Sequence, residues 1–392
     1  MTTTRTRRLP ALVFLPFCVG CVGACAGDVA PGAPAASVTD SAGVRIVENP
    51  APDRPAAWQA VAIADLVPPD SALTVLPWAV EADPAAGRIY AVDGTSERVV
   101  VFDRSGGYVG TYGRRGAGPG EFRNPAALSV GPDGVLTVWD AGRGVLSRWS
   151  AEGELLDERP APLPYWGPGF HEADGRILTV TSRTAEREQR QMLVALAADD
   201  TVVLHTVSRE LVMMELPCMS APAPRLFAPD IVWTASGGTT YVLNGPDYRI
   251  DVYADGALTA SIRRAVEPIR VTARMAAARV AFGQFAAFLR RCGVTADQLV
   301  AAVGHEELTP VVQWLAVDPD GRLWVTRSAD GITPRHVDIL DADGRYLGTL
   351  DAPGMPLAFV SPTVFAALTI RPETRETVLT LYELRARDGT GN

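Results

Sequence analysis

Apolar and polar positions alternate along much of this chain, and one pattern of them recurs. Each copy opens on a glycine and alternates apolar residues up to a polar residue six positions later, after which come a bulky residue and a second glycine. The copies open at Gly87, Gly134, Gly238 and Gly321. Alternation with a period of two is typical of half-buried antiparallel strands. Repetition of such strands at a near-constant spacing is typical of a beta-propeller, in which each repeat forms one blade.

Turn signals and strand-like runs together predict the number of blades. Dipeptides such as Asp133-Gly134 predict tight hairpins, because Asp and Gly tolerate the positive φ of such turns. We predict an all-β fold, a six-bladed beta-propeller over residues 43–387. The blades are expected near residues 79–113, 127–159, 169–207, 231–264, 314–352 and 358–387.

Two of the blades depart from the pattern. In the third, the polar residues 183–190 are expected to delay the next strand. The sixth is one strand short, and an open sheet edge is unfavourable because its backbone groups lack partners. We therefore expect a segment from the start of the chain, either Val44–Val47 or Val61–Leu66, to complete the sixth blade.

One segment has helical instead of strand periodicity. Apolar residues recur every three or four positions between Thr272 and Arg291, where Thr272 is a suitable N-cap and Gly293 a suitable C-terminal cap. A second short helix is predicted over 295–303. We expect this helical insertion, residues 268–308, to lie between blades four and five and to cover the mouth of the central channel.

The first residues have the features of an export signal. A cationic start precedes an apolar stretch too short to span a bilayer, and Val22–Cys25 resembles a bacterial lipobox, in which the cysteine is acylated after cleavage. We predict a lipoprotein signal over 1–25, lipidation at Cys25 and a flexible tether over 26–42. Cys21 is a weaker lipidation candidate, and an ordinary secretory signal is the alternative. The lipoprotein hypothesis predicts a cell-envelope protein held at a membrane surface by lipid chains.

Composition excludes several classes of function. The chain has 392 residues and a formal net charge of −9, which does not favour nucleic acid as a partner. Every basic residue is arginine, so mechanisms that need a lysine amine, such as a Schiff base or a P-loop, are excluded. Beyond the signal only Cys218 and Cys292 remain. In an oxidising compartment these two are expected to form a disulfide, and the alternative is a pair of buried free thiols.

One stretch resembles an NHL repeat. The similarity rests on residues 93–103, on Gly113–Phe122, on Asn124-Pro125 and on the continuation to Gly134. The chain as a whole resembles the six-bladed NHL-like propeller lipoproteins of bacteria. That resemblance implies the architecture but no single activity, since propellers of this type include binding modules, lyases and lactonases.

In the NHL-like pattern, the polar residue that ends each repeat's first apolar run lies on one face, at the channel mouth. A ligand- or protein-binding module on this face, without a catalytic role, is the function we favour. The side chains expected to bind are Arg98, Arg115, Arg123, Tyr165, Trp166 and Arg327. Arginine clamps acidic groups bidentately, although arginines on such a face are often only solvated charge.

The alternative function is a metal-dependent hydrolase, lactonase or lyase on the same face. No cofactor is required by any motif, but calcium could bind through oxygen ligands from Asp93, Asp140 and Asn244, with His171 or His336 as base. Against this, the equivalent position in the fifth blade is Arg327, a poor neighbour for a cation. The structural alternative for the three oxygen ligands is turn capping, in which the side chain accepts hydrogen bonds from backbone amides.

Overall fold

The recurring pattern forms sheets of antiparallel strands in the computed structural model. It describes residues 35–387 except 71–72, 74–75, 77–78, 162, 164–168, 174, 198–199, 282, 329, 331–332 and 372–375. The predicted signal and Cys25 therefore lie outside the described residues, as do Tyr165 and Trp166.

The elements follow one another along the chain as strands, a group of three helices, and strands again. The first strands are β1 (Ser37–Ser41), β2 (Val44–Asn49), β3 (Trp58–Asp65), β4 (Val80–Asp83), β5 (Arg88–Asp93), β6 (Arg98–Asp103), β7 (Tyr108–Tyr112), β8 (Arg114–Arg115), β9 (Glu121–Phe122), β10 (Pro125–Val130), β11 (Leu136–Asp140), β12 (Val145–Trp149), β13 (Leu155–Pro160), β14 (Phe170–Ala173), β15 (Arg176–Ala185) and β16 (Glu188–Leu196). The next are β17 (Thr201–Leu216), β18 (Met219–Pro224), β19 (Trp233–Ser236), β20 (Thr239–Leu243), β21 (Arg249–Ala254) and β22 (Ala257–Arg264). The helices α1 (Ala273–Val280), α2 (Gly283–Cys292) and α3 (Ala296–Val303) precede β23 (Val312–Val317), β24 (Leu323–Ser328), β25 (Pro334–Leu340), β26 (Tyr346–Asp351), β27 (Gly354–Ser361), β28 (Val364–Ile370) and β29 (Thr377–Ala386).

Six blades are confirmed, each built outward from its first strand in the chain. Blades one and two are β4–β7 and β10–β13, blade three is β14–β17, blade four is β19–β22, and blade five is β23–β26. Blade six combines β27–β29 with β3, which pairs antiparallel with β29. Of the two predicted closing segments, Val61–Leu66 is therefore the correct one, because it overlaps β3. The earlier one lies in β2, which adds to the outer edge of blade four by parallel pairing with β22.

The glycines of the repeat have a specific structural role. The opening glycine of each copy has a positive φ in the turn between the first two strands of its blade, as at Gly134. The second glycine packs against the outermost strand of the preceding blade. A β-carbon at Gly153 would lie 2.6 Å from the ring of Tyr112, and one at Gly344 would lie 2.6 Å from Ile262. The repeat therefore encodes both the turns inside a blade and the close approach between blades.

Three sequence predictions need correction. Residues 183–190 do not delay a strand, because β15 and β16 simply continue through them as a longer hairpin with paired register from Ile177 to Glu188. The predicted single helix between Thr272 and Arg291 is two helices, and α2 begins at Gly283, a poor helix former. The C-terminal part of the predicted tether 26–42 contains β1, whose backbone is paired with β2.

A small second core lies outside the six blades. The last part of β17 leaves blade three and forms a hairpin with β18, residues 211–224. We call this hairpin together with helices α1–α3 the cap. Met214 of the hairpin and Leu299 of α3 are buried in one apolar cluster, and Cys218 at the hairpin tip is joined by a disulfide to Cys292 at the end of α2. The predicted disulfide is present, with a Cα–Cα distance of 5.0 Å.

Among the described residues, no helix has the length and apolar character needed to cross a bilayer.

The start of the chain runs across the outer edges of three blades. After β2 on blade four, the amide of Ala56 donates to Thr349 of blade five at 2.8 Å, and β3 follows on blade six. The chain divides after residue 35, and Ala36–Asn392 form the compact unit that carries all these elements.

A buried ion cluster fastens this segment. Arg264 of blade four donates to Asp338 of blade five at 2.6 Å and to Asp53, between β2 and β3, at 2.6 Å. Arg327 donates to both oxygens of Asp338 at 2.8 Å and to Asp53 at 2.9 Å. Asp338 is fully buried, and Thr349 donates to it as a further partner at 2.7 Å. Two arginines therefore share two carboxylates, with no described cation left alone in the cluster.

We expect Asp338→Asn to destabilise the protein by about 3–5 kcal/mol, because it leaves two buried guanidinium groups with only Asp53 as a charged partner. Chemical denaturation measures the effect. Asp343→Asn, which removes the exposed ion pairs with Arg45 and Arg345, is the matched control and is expected to cost less than about 1 kcal/mol. An equal decrease in the free energy of unfolding of the two variants would show that the buried cluster stabilises the fold no more than a surface ion pair does.

Candidate binding cavity

A concave cavity lies between the cap and the propeller. Its volume is about 1280 Å³. The floor is formed by blades four to six, through residues such as Trp233, Leu243 and Trp314, and by Met355 at the start of β27. In each blade these residues lie where the first strand begins or the second strand ends. The cavity is therefore on the face that also carries Asn244, which is the face predicted from the sequence.

The cap supplies the roof of the cavity. Met214 and Met219 come from the hairpin, and Phe288 and Leu299 come from α2 and α3. Thioether and aromatic side chains give a roof that is apolar and able to adapt in shape. The walls are thus mostly hydrophobic, which is typical of small-molecule sites.

Short backbone contacts fix the cap over this face. The two ends of the helical insertion pair with each other, since Val271 donates to Glu307 at 2.8 Å and Thr309 donates to Ile269 at 2.9 Å. The segment after the hairpin is held in the same way, because Leu226 donates to Gly304 at 3.1 Å. With the disulfide and the apolar core, these contacts make the cap one unit, joined to the propeller at blades three, four and five.

Charged groups in the lining are mainly positive. Four arginines line the cavity, namely Arg209, Arg225, Arg279 and Arg291, and Asp230 is the acidic residue among its lining side chains. Arg209 donates to Gln189 at 2.7 Å and lies 3.7 Å from Asp230. Burial lowers the pKa of the Arg279 guanidinium, with no acidic neighbour to offset that effect. The group still carries its charge at neutral pH, because an arginine starts from a very high pKa.

The arginines predicted from the sequence are placed elsewhere. Arg327 is only 6% exposed and belongs to the buried ion cluster, so its prediction as a ligand-binding residue is wrong. Arg98 makes a bidentate pair with Asp70 at 2.7 and 2.8 Å and also contacts Asp93. Both side chains are therefore committed to carboxylates of the protein itself.

The other two arginines are more accessible. Arg115 is exposed, donates to the carbonyl of Thr95 at 3.0 Å and pairs with Glu97 at 3.2 Å. The side chain of Arg123 is exposed, and its backbone amide donates to Asp140. Neither lines the cavity described above. The other two predicted binding residues, Tyr165 and Trp166, lie outside the described residues.

The three predicted metal ligands are hydrogen-bonded within the protein. Asp140 is fully buried and accepts from the amides of Arg123, Asn124 and Gly142 at 2.9, 2.9 and 3.0 Å. This is turn capping, the structural alternative that the sequence also allowed. Asp93 is likewise fully buried and caps its own turn, because its carboxylate accepts hydrogen bonds from the amides of Thr95 and Ser96 at 3.2 Å each.

Asn244 is the third of these residues. Its side-chain nitrogen donates to Asp251 at 2.5 Å, so its amide is tied to the neighbouring strand of blade four. Within the described ranges, no group of three or more His, Cys, Asp or Glu side chains is arranged to hold a metal ion. The donor set of this face therefore does not fit a calcium centre built on Asp93, Asp140 and Asn244.

The two histidines considered as bases lie on different blades. His171 is on β14, the innermost strand of blade three, and burial lowers its pKa, which keeps the ring neutral at pH 7. His336 is on β25, the third strand of blade five, and its Nδ1 lies 3.3 Å from Asp351. Neither is among the residues that line the cavity.

Sequence reasoning missed the hairpin part of the cap and the arginines of the cavity. The run Thr201–Leu216 is long for a blade strand and is followed after one turn by another strand, with Cys218 in that turn. That length was the available signal for a strand that leaves its blade. The arginines on α1 and α2 gave no signal, because charge on an amphipathic helix is usually solvated.

We expect Asp140→Ala to destabilise the protein by roughly 2–4 kcal/mol, because it leaves several buried amides without an acceptor. Thermal and chemical denaturation measure this loss. Asp133→Ala is the matched control, since Asp133 accepts one amide hydrogen bond, from Val135, in an exposed turn. A fully stable Asp140→Ala protein would contradict the capping role and reopen the metal-ligand hypothesis.

Comparisons with known proteins agree on the fold. The model of the family DUF5128, described as a 6-bladed beta-propeller, matches residues 66–198. A Bacteroides fragilis protein designated as exported has a similar structure, with a TM-score of 0.51 at 12% identity over 88% of this chain and 100% of its own. A DUF4221 family member from Bacteroides vulgatus has a TM-score of 0.49 at 9% identity, over 84% of this chain and 99% of its own.

A gluconolactonase from Xanthomonas campestris is also similar, with a TM-score of 0.43 at 15% identity over 91% of this chain and 99% of its own. No curated protein matches the sequence. At these identities the likeness concerns the fold alone. The chain is a six-bladed beta-propeller.

Proposed function

We propose that this protein is a binding module of the cell envelope, which holds a small molecule in the cavity between the cap and the propeller. The observation that carries the proposal is the cavity itself. Its volume of about 1280 Å³ exceeds the roughly 300–1,000 Å³ of ordinary ligand pockets. It is mostly apolar, and the cap that covers one side of it is an element that the repeat pattern does not require.

Catalysis is not part of the proposal. The carboxylates of Asp93 and Asp140 are occupied by backbone amides, and the cavity lining includes neither His171 nor His336. A hydrolase needs a nucleophile or activated water next to a group that stabilises the developing charge. The carboxylate among the described lining residues, Asp230, lies 3.7 Å from Arg209, and no histidine is among those residues, which favours binding over reaction.

The envelope location rests on the sequence. The cationic start, the short apolar stretch and the lipobox-like Val22–Cys25 support export and acylation at Cys25. The disulfide between Cys218 and Cys292 fits an oxidising compartment. The NHL-like pattern is consistent with bacterial propeller lipoproteins, in which the propeller is presented at a membrane surface.

We expect the neutral fluorophore N-phenyl-1-naphthylamine to bind the unit Ala36–Asn392 with a stoichiometry of one. Ala228→Trp, which fills part of the cavity, is expected to weaken this binding at least tenfold. Fluorescence titration measures both. Ala342→Trp, in an exposed turn of blade five away from the lining, is the matched control and should bind as the parent does. Undiminished binding to Ala228→Trp, or no binding to the parent, would contradict the proposed site.

We expect Cys25→Ser to release the full chain from the membrane fraction of the bacterial cells that produce it, because the lipid chains are its proposed anchor. Fractionation followed by immunoblotting measures the distribution. Cys21→Ser is the matched control and should leave the protein with the membranes. If Cys21→Ser releases the protein and Cys25→Ser does not, the acylated residue is Cys21. Membrane association in both variants would contradict lipid anchoring at either cysteine.

A further inference from the structure

The charge of the cavity points to the class of ligand it holds, an inference that rests on the proposed function. The whole chain carries a formal net charge of −9, yet four of the five charged side chains in the lining are arginines. An acidic protein with a locally positive cavity concentrates cationic groups where they can meet a ligand. The positive character is therefore a property of the cavity and not of the surface in general.

Three of these arginines have no carboxylate partner among the described residues. Asp230 lies 3.7 Å from Arg209, whereas Arg225, Arg279 and Arg291 form no ion pair with any described acidic side chain. Elsewhere in the described chain, arginines such as Arg98, Arg143 and Arg264 are paired with carboxylates at 2.6–2.7 Å. Other described arginines, such as Arg176 and Arg274, also form no ion pair with a described acidic side chain, so what sets Arg225, Arg279 and Arg291 apart is that they share the lining of one apolar cavity.

Local structure holds each of these arginines in place. A β-carbon on Gly304 would lie 2.9 Å from Nη1 of Arg225, so this guanidinium lies at the C-terminal end of α3, where the helix dipole favours a cation. The Arg291 guanidinium lies 6.0 Å from the ring centre of Phe288. Arg279 lies in the last turn of α1 and its side chain lines the cavity. Desolvation by the surrounding protein lowers the pKa of its guanidinium.

The rest of the lining is apolar. Met214, Trp233, Leu299 and Trp314 present hydrocarbon, thioether and indole surface to the same space. Arg225 is half-buried, and Arg279 and Arg291 are exposed beside this apolar surface. Each can form a charge-assisted hydrogen bond with an anion, which is stronger than a bond between neutral groups. A ligand that is both anionic and apolar satisfies the two kinds of surface at once.

We propose that the cavity binds an anionic amphiphile, a molecule with an apolar body and a single carboxylate, sulfonate or similar head. The head lies against Arg279, with Arg225 and Arg291 as further cationic neighbours, and the body lies against the indole and thioether side chains. A cationic amphiphile is rejected by the arginines. A small hydrophilic anion is bound weakly, because it buries no apolar surface.

Two fluorophores that differ by one charged group test this proposal. 1-Anilinonaphthalene-8-sulfonate has the same two ring systems as N-phenyl-1-naphthylamine and adds a sulfonate. Both are titrated against the unit Ala36–Asn392, its Arg279→Gln variant, and Arg290→Gln, which changes an exposed arginine on α2 outside the lining. Circular dichroism and the melting temperature establish that each variant is folded. If Arg279→Gln does not fold, Arg291→Gln takes its place.

We expect the sulfonate to bind the parent at least tenfold more tightly than the neutral compound, with the same preference in Arg290→Gln. In Arg279→Gln the preference is expected to fall at least fivefold, while the affinity for the neutral compound changes less than twofold. Equal affinities of the parent for the two compounds, or an unchanged preference in Arg279→Gln, would overturn the anionic class and leave the proposed binding function standing. Failure of both compounds to bind the parent would overturn the binding function as well.

Discussion

The pairing of β3 with β29 closes the ring of blades, and the rest of the structure depends on that closure. A propeller assembled only from consecutive repeats would leave the sixth blade one strand short, with an unpaired edge. The segment that supplies the strand also adds β2 to blade four, contacts β26 of blade five through Ala56, and contributes Asp53 to the ion cluster. One stretch of chain therefore fastens blades four, five and six to one another. These are the blades that form the floor of the cavity.

The roof of the cavity is stabilised in a different way. The hairpin and the helices of the cap come from segments of the chain that are far apart, and their shared apolar core is small. The disulfide between Cys218 and Cys292 closes a span of 74 residues, which stabilises the folded cap by roughly 4 kcal/mol in the chain-entropy model. The paired strands of the blades thus hold the floor of the cavity, and the disulfide ties the two parts of its roof together.

The sequence predicts the propeller well because its signals are local. The opening glycines of the repeat take the positive φ that the turns require, and the second glycines leave room for side chains of the preceding blade, as Gly153 does for Tyr112. The helical insertion and its first cap, Thr272, were likewise visible, although the break between α1 and α2 and the cap at Thr295 were not. Each of these features depends on residues close together in the chain.

The candidate site was predicted less well because its contacts are long-range. Arg327 was expected at an open channel mouth, but Asp53, 274 positions earlier, pairs with it in a buried cluster. Nothing in the spacing of residues indicates such a partner. The cavity lies on the face that carries Asn244 and the helical insertion, where a site was expected from the sequence. The hairpin that helps to roof the cavity requires β17 to leave its own blade, which follows from packing against α3 and not from strand propensity.

Hydrogen exchange with and without saturating N-phenyl-1-naphthylamine tests the central claim most directly, because it locates the bound molecule along the chain. The account predicts slower amide exchange in the hairpin 211–224, in residues 225–233 and in α1–α3, with no change in blades one and two. Protection confined to blades one and two, or no protection in the cap, would contradict the assignment of the binding site to the cavity beneath it.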